Sequence, residues 1–206
     1  MLNDKIGDCT CAAAGHMIEA WTQCATGTEV VPTDDQIESA YEAVSGYVPS
    51  TGAHDDGAVE LDVLNYWQST GIAGRTITAF AALEPKNQEQ VRDAVYLFGG
   101  CYIGLALPAS AQNQSVWSVP PGGPVGDGAP GSWGGHAVPI LGYTARDLTV
   151  ITWGAPLSMT WQFLDAYCDE AYAVLSQDFI DKVKKTNPNG FDFATLENDL
   201  HALGNA

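Results

Sequence analysis

The sequence predicts an α+β fold, with a helical N-terminal lobe over about 1–72 leaning on a strand-rich lobe over about 73–175 and a cleft between them. Three observations carry this prediction. In the first seventy residues, apolar side chains recur at helical spacings of three and four. After Gly71 the pattern changes to alternation and to short apolar runs such as Cys101-Tyr102-Ile103-Gly104-Leu105-Ala106-Leu107. The helical and strand-rich blocks follow one another instead of alternating, which argues against parallel βαβ units. No internal repeat is visible. Residues 176–206 read as a C-terminal helical tail.

The elements follow in order. Residues 9–24 read as a helix, with Asp8 as N-cap, Ala12, Ala13 and Ala14 as strong helix formers, and Met17, Ile18 and Trp21 as an apolar stripe. Ala25-Thr26-Gly27 ends it. A second helix fits 33–44, opened by the capping-box pattern Thr33-Asp34-Asp35-Gln36. A polar loop follows over 45–57, then a third helix over 59–69. Residues 75–82 alternate as a strand, 88–98 suit a short helix, and 101–107 suit a buried strand. The stretch 108–135 is irregular and rich in Pro and Gly, and a loop of that length in a compact domain is usually functional or mobile. Strands are expected over 137–143 and 148–153, a short helix over 160–167, a closing strand over 171–175, and two helical pieces over 178–185 and 191–203.

The chain has 206 residues, 25 acidic against 8 basic, and a formal net charge of -17. A nucleic-acid groove needs Lys and Arg to neutralise phosphates. The one basic cluster here is Lys182, Lys184 and Lys185, so nucleic acid is not an expected partner. An anionic membrane surface is disfavoured for the same reason. No run of eighteen apolar residues offers a membrane span, and the first residues lack the layout of a secretory signal. Cys9, Cys11, Cys24, Cys101 and Cys168 form an odd, scattered set. They read as reduced thiols in a cytoplasm. No spacing suggests structural zinc, and neither a metal nor an organic cofactor is expected.

Cysteine becomes a good nucleophile where its thiolate is stabilised, as at a helix N-terminus. Cys9 and Cys11 both lie near such an end. A thiol also needs a base. His16 lies two turns along the same helix and suits packing or hydrogen bonding. His54, beside Asp55 and Asp56, and His201 in the tail suit solvated positions. His136 opens a strand in Gly134-Gly135-His136-Ala137-Val138-Pro139-Ile140-Leu141-Gly142-Tyr143. Position alone leaves it open between a structural histidine and a base.

These residues carry a resemblance. Gly7-Asp8-Cys9-Thr10-Cys11-Ala12-Ala13-Ala14, then Gly134 to Tyr143, then Val150-Ile151-Thr152-Trp153-Gly154, together resemble a papain-like cysteine peptidase over about residues 3–175. Similar stretches occur in uncharacterised phage and bacterial proteins and in bacteriocin-processing peptidases. The resemblance implies that Cys9, which opens the central helix after Gly-x, is the nucleophile rather than Cys11. It implies that His136 is the base and that Asn3, six residues before Cys9, lines the oxyanion hole. It also implies that Trp133, Gly134, Gly135 and Trp153 form the binding surface around the histidine, with Trp153 shielding the ring from water. One departure stands out. Aligning Trp153-Gly154 with the family's Asn-Ser-Trp-Gly places Ile151 where an asparagine orients the histidine. Thr152 is the nearest polar candidate for that role, but a regular strand would point it to the opposite face.

The implied chemistry is attack of a Cys9 thiolate on an amide or isopeptide carbonyl, with His136 moving the proton. The partner would be a peptide or protein. The alternative is a papain-fold protein that binds or builds rather than cuts, in a bacterium, an infected host cell or a phage particle.

Overall fold

The computed structural model describes residues 1–204. It has six helices and a seven-stranded sheet among those residues.

Helix α1 (Cys9–Thr26) runs through the middle of the molecule and ends on Gly27, whose φ of 71° suits a residue without a Cβ. Its small residues Ala12, Ala13 and Ala14 are buried, Gly15 leaves room for Met1 and Ile37, and Met17, Ile18 and Trp21 are fully buried. Trp21 stacks on Trp67 at 5.5 Å and donates its indole N–H to the Phe98 carbonyl at 2.7 Å. Helix α2 (Asp34–Ser45) has the expected reciprocal capping box between Thr33 and Gln36. Helix α3 (Glu60–Ser69) starts after Val59 without a side-chain cap.

The strands are β1 (Ala79–Ala82), β2 (Cys101–Leu107), β3 (Val116–Trp117), β4 (Gly134–Tyr143), β5 (Asp147–Thr152), β6 (Ala155–Thr160) and β7 (Cys168–Leu175). Their order in the sheet is β1-β7-β2-β4-β5-β6-β3, antiparallel throughout except for the two-residue pairing of β3 with β6. Helices α4 (Gln88–Phe98), α5 (Trp161–Tyr167) and α6 (Phe193–Leu203) complete the fold.

The pleat divides the sheet between two cores. Tyr102, Ala137, Tyr172 and Val174 face the helical lobe and pack with α1 to α3. Ile103, Leu105, Val138, Ile140, Ala173 and Leu175 face the other way, against residues of α4, α5 and α6. Because β2 is central and covered on both faces, its sequence is a continuous apolar run.

Four local expectations are corrected. The strand expected over 75–82 begins only at Ala79, because Ile72 and Arg75 exchange backbone hydrogen bonds across a tight turn through Ala73 and Gly74, both at positive φ. Residues 155–159 carry no expected element, yet they form most of β6, where Pro156 is tolerated near the sheet edge opposite Ile151. No helix forms over 178–185, where only Gln177–Phe179 makes a 3-10 turn and Asp181 accepts the N–H groups of Val183 and Lys184 at 2.8 and 3.0 Å. Such side-chain bonds compete with a helix. Asp8 does occupy the N-cap position of α1, but its carboxylate makes no capping bond.

The C-terminal segment packs on the sheet lobe. Leu196 and Leu200 of α6 are buried in its core. The 108–133 stretch is tied down as well, with Trp117 buried and the Tyr167 hydroxyl donating to the Gly128 carbonyl at 2.8 Å.

Candidate active site

Cys9 is the first residue of α1, set where the N-terminal segment turns in through Gly7 and Asp8. The Gly7 N–H donates to Asp55 Oδ1 at 2.7 Å, and the Tyr41 hydroxyl donates to the same oxygen at 2.9 Å. The polar loop before α3 therefore fixes the entry to the helix. A Cβ on Gly7 would lie 3.1 Å from Asp55 Oδ1 and from the Tyr41 hydroxyl, so a larger residue there would push on both.

His136 lies near the start of β4, opposite Leu105 of β2. It and Cys9 line the same cleft, which runs to both sides of them. One half, about 390 Å³, is bounded by Asn3 to Gly7, Asp55, Leu107, Trp133, Gly134 and Trp153. The other half, about 370 Å³, is bounded by Thr10, residues 56–60, Leu105, Ala137, Asp169 and Glu170. Cys9, His136 and Gly135 belong to both halves. Cys11 is fully buried in the helical core, and burial pushes its thiol up to about 12.

The imidazole is held on two sides. Its Nε2 is 2.8 Å from Thr152 Oγ1, and both residues are buried. The Trp153 ring stacks on it at 4.9 Å and 17°. Trp117 meets it edge-on at 6.3 Å. Thr152 reaches the ring because of strand parity. His136, Val138 and Ile140 alternate onto one face of β4, and Leu148, Val150 and Thr152 onto the same face of β5, while Ile151 points away. The Trp153-Gly154 turn takes only two residues, at φ 47° and 73°, before β6 begins. The position facing the histidine thus falls one residue before the tryptophan rather than two, which corrects the placement of Ile151 there.

Burial works against the charged form of both Cys9 and His136. Burial lowers His136 to about 4 and raises Cys9 above its ordinary 9.0. The Ala137 backbone N–H opposes the rise at Cys9, while Glu60 and Asp8 add to it. Asp8 is fully buried, neither carboxylate oxygen has a hydrogen-bond partner among the described residues, and burial raises it to about 7. A neutral imidazole that donates Nε2–H to Thr152 keeps Nδ1 as an acceptor, the tautomer a base requires.

Of the residues the sequence pointed to, Cys9, Asn3, Trp133, Gly134, Gly135, His136 and Trp153 all line the first half of the cleft, and Thr152 lies behind the ring. His16 is instead paired with Glu19 through Nδ1 at 2.8 Å. Sequence reasoning passed over Asp55, Glu60, Asp169 and Glu170, which reach the cleft from three separate segments. Their only sequence signal is the acid excess. Among the described residues no cluster of His, Cys, Asp or Glu is placed to hold a metal ion, and no helix is long and apolar enough to cross a membrane.

No protein family defined by sequence matches the chain, and no curated protein matches it. Solved structures do. The chain is similar to xylellain, a cysteine protease from Xylella fastidiosa, with a TM-score of 0.61 and 14% identity over 83% of this chain and 80% of that one. It is similar to the cysteine protease CMS1MS2 of Carica candamarcensis, with a TM-score of 0.57 and 14% identity over 83% and 89% of the two chains. A third likeness is to the bromelain protease from Ananas comosus, with a TM-score of 0.55 and 14% identity over 85% and 92%. At such identities the shared property is the architecture, and the chain has the papain-like cysteine protease fold.

Proposed function

We propose that the protein is a cysteine peptidase or amidase that cleaves an amide or isopeptide bond with a Cys9–His136 dyad. The observation that carries this reading is the cleft shared by the first residue of α1 and a histidine whose Nε2 is already engaged by Thr152. In this reading His136 takes the Cys9 proton as the thiol attacks the carbonyl carbon. The Cys9 backbone N–H and the Asn3 side chain receive the developing oxyanion, and His136 returns the proton to the leaving amine. Thr152 positions the ring, and Trp153 covers it.

The direct test is hydrolysis of a mixed peptide library followed by mass spectrometry. The wild type should cleave. Cys9→Ala should abolish cleavage, and His136→Ala should slow it by roughly 10²-fold or more. Cleavage that survives Cys9→Ala removes the proposal.

One feature favours a second reading, in which the fold binds without turnover: burial disfavours the charged forms of both the thiol and the imidazole. That reading expects peptide retention with no new termini, in the wild type and in Cys9→Ala alike.

A further inference from the structure

The half of the cleft beyond Thr10 is acidic, and among the described residues no lysine or arginine lines it. Glu60 opens α3, and Asp169 and Glu170 lie on β7. A Cβ on Gly104 would lie 2.5 Å from Glu60 Oε1 and 3.2 Å from Asp169 Oδ1, so both carboxylates converge over the one residue of β2 that leaves room for them. Glu170 is held by the Tyr172 hydroxyl at 2.8 Å. Among the described residues none of the three makes an ion pair with Lys or Arg. Burial, with Glu170 and Asp169 adding to it, raises Glu60 to about 7. Glu60 and Glu170 are half-buried and Asp169 is exposed; carboxylates held this close without a counter-charge favour a ligand that brings one. Independently, Thr10 lines this half, is 2% exposed, and has a hydroxyl with no partner among the described residues.

The rest of the lining says which cation fits. Leu105, Ala137 and Val59 give an apolar wall next to the carboxylates. That pairing matches a long side chain with an aliphatic stem and a charged head. A bare metal ion has no use for the apolar wall, and these residues do not form a metal-holding group.

We propose that Glu60, Asp169 and Glu170 select a lysine or arginine side chain of a peptide lying beside the bond presented to Cys9. The proposal rests on Cys9 being the nucleophile of this cleft.

The experiment uses the whole protein and peptide acyloxymethyl ketones of one length that carry lysine, norleucine or glutamate at one of the two positions next to the ketone. Alkylation of Cys9 is followed by mass spectrometry. The same peptides as simple amides are titrated by calorimetry. The lysine probe should alkylate Cys9 about 10-fold faster than the norleucine probe, with glutamate slowest. Glu60→Gln should erase most of that preference, and so should Asp169→Asn, which serves as a second reading should the first variant fold poorly. Equal rates for all three probes overturn the inference and leave the nucleophile intact. If no probe alkylates Cys9 but the lysine amide binds and Glu60→Gln weakens it, the nucleophile fails and the cation site stands. If Cys9 stays unlabelled and the three amides bind alike or not at all, both fail.

Discussion

A buried carboxylate one residue before Cys9 works against the thiolate. Asp8 sits at the N-terminal end of α1, where unpaired N–H groups favour negative charge, but its own charge competes for that field and raises its neighbour. Iodoacetamide labelling of Cys9 should therefore climb with pH through and beyond 9.0 rather than plateau below neutrality. Asp8→Asn, which removes the charge and keeps a residue suited to an N-cap, should speed labelling at pH 8 and move the profile to lower pH. An unmoved profile means that Asp8 does not act on the thiol. In the proposed dyad, Thr152 would be a positioning residue on the other side of the pair. Thr152→Val should lower kcat by about 10-fold with KM little changed, because the ring loses the bond that fixes its tautomer. Thr152→Ser should restore it. A fall that serine does not rescue points to packing instead.

At the scale of elements, the β5–β6 hairpin does the positioning. Its two-residue turn sets the phase of β5, and that phase decides that Thr152 faces His136 and Ile151 does not. Gly154 sits at φ 73°. Gly154→Ala should cost about 1 kcal/mol in urea unfolding, and it should loosen the Trp153–His136 stacking, read as a change in tryptophan fluorescence. Most elements were legible in the sequence. The capping box of α2, the helical stripe of α1 and the apolar run of β2 each follow from local chemistry, and their observed bounds lie close to the expected ones. The misses have separate causes. Strand β6 depends on its pairing with β5, and the alternation over 75–82 could not reveal that β7 offers a partner only from Ala79 onward. Over 178–185 the Asp181 side chain satisfies backbone groups that a helix would have used.

For the whole molecule, pH acts through opposing groups. Asp8 and Glu60, both raised to about 7, keep protons in the folded state that the unfolded chain releases near 3.8 and 4.5. Their contribution to stability is fully present below those values and is lost as pH rises to about 7. His136, lowered to about 4, acts in the other direction. The unfolded chain binds a proton below about 6.5 and the folded one does not, so this contribution falls as pH drops from 6.5 towards 4. Urea midpoints of the wild type and Asp8→Asn between pH 4 and 8 separate the two. The variant should gain stability at pH 8, by up to about 4 kcal/mol for a shift of this size, and should lack the decline between pH 4 and 7 that the Asp8 carboxyl causes. Equal slopes in the two proteins count against a protonated Asp8 in the fold. The net charge of -17 adds self-repulsion above pH 7, which salt should relieve.

By itself the sequence determined the order of helices and strands, the helix start at Cys9, the strand opened by His136 and the acidic balance. Those features depend on spacing, capping and composition, all of which are local. Three things were decided only by the tertiary structure. The sheet brings His136 and Thr152 onto one face, through a turn two residues long. Packing buries Asp8 and the imidazole, which sets their charge states. Glu60 and Asp169 gather over Gly104 from α3 and β7. Each depends on which segments become neighbours in space, and that is fixed by packing across the two cores rather than by any stretch of chain.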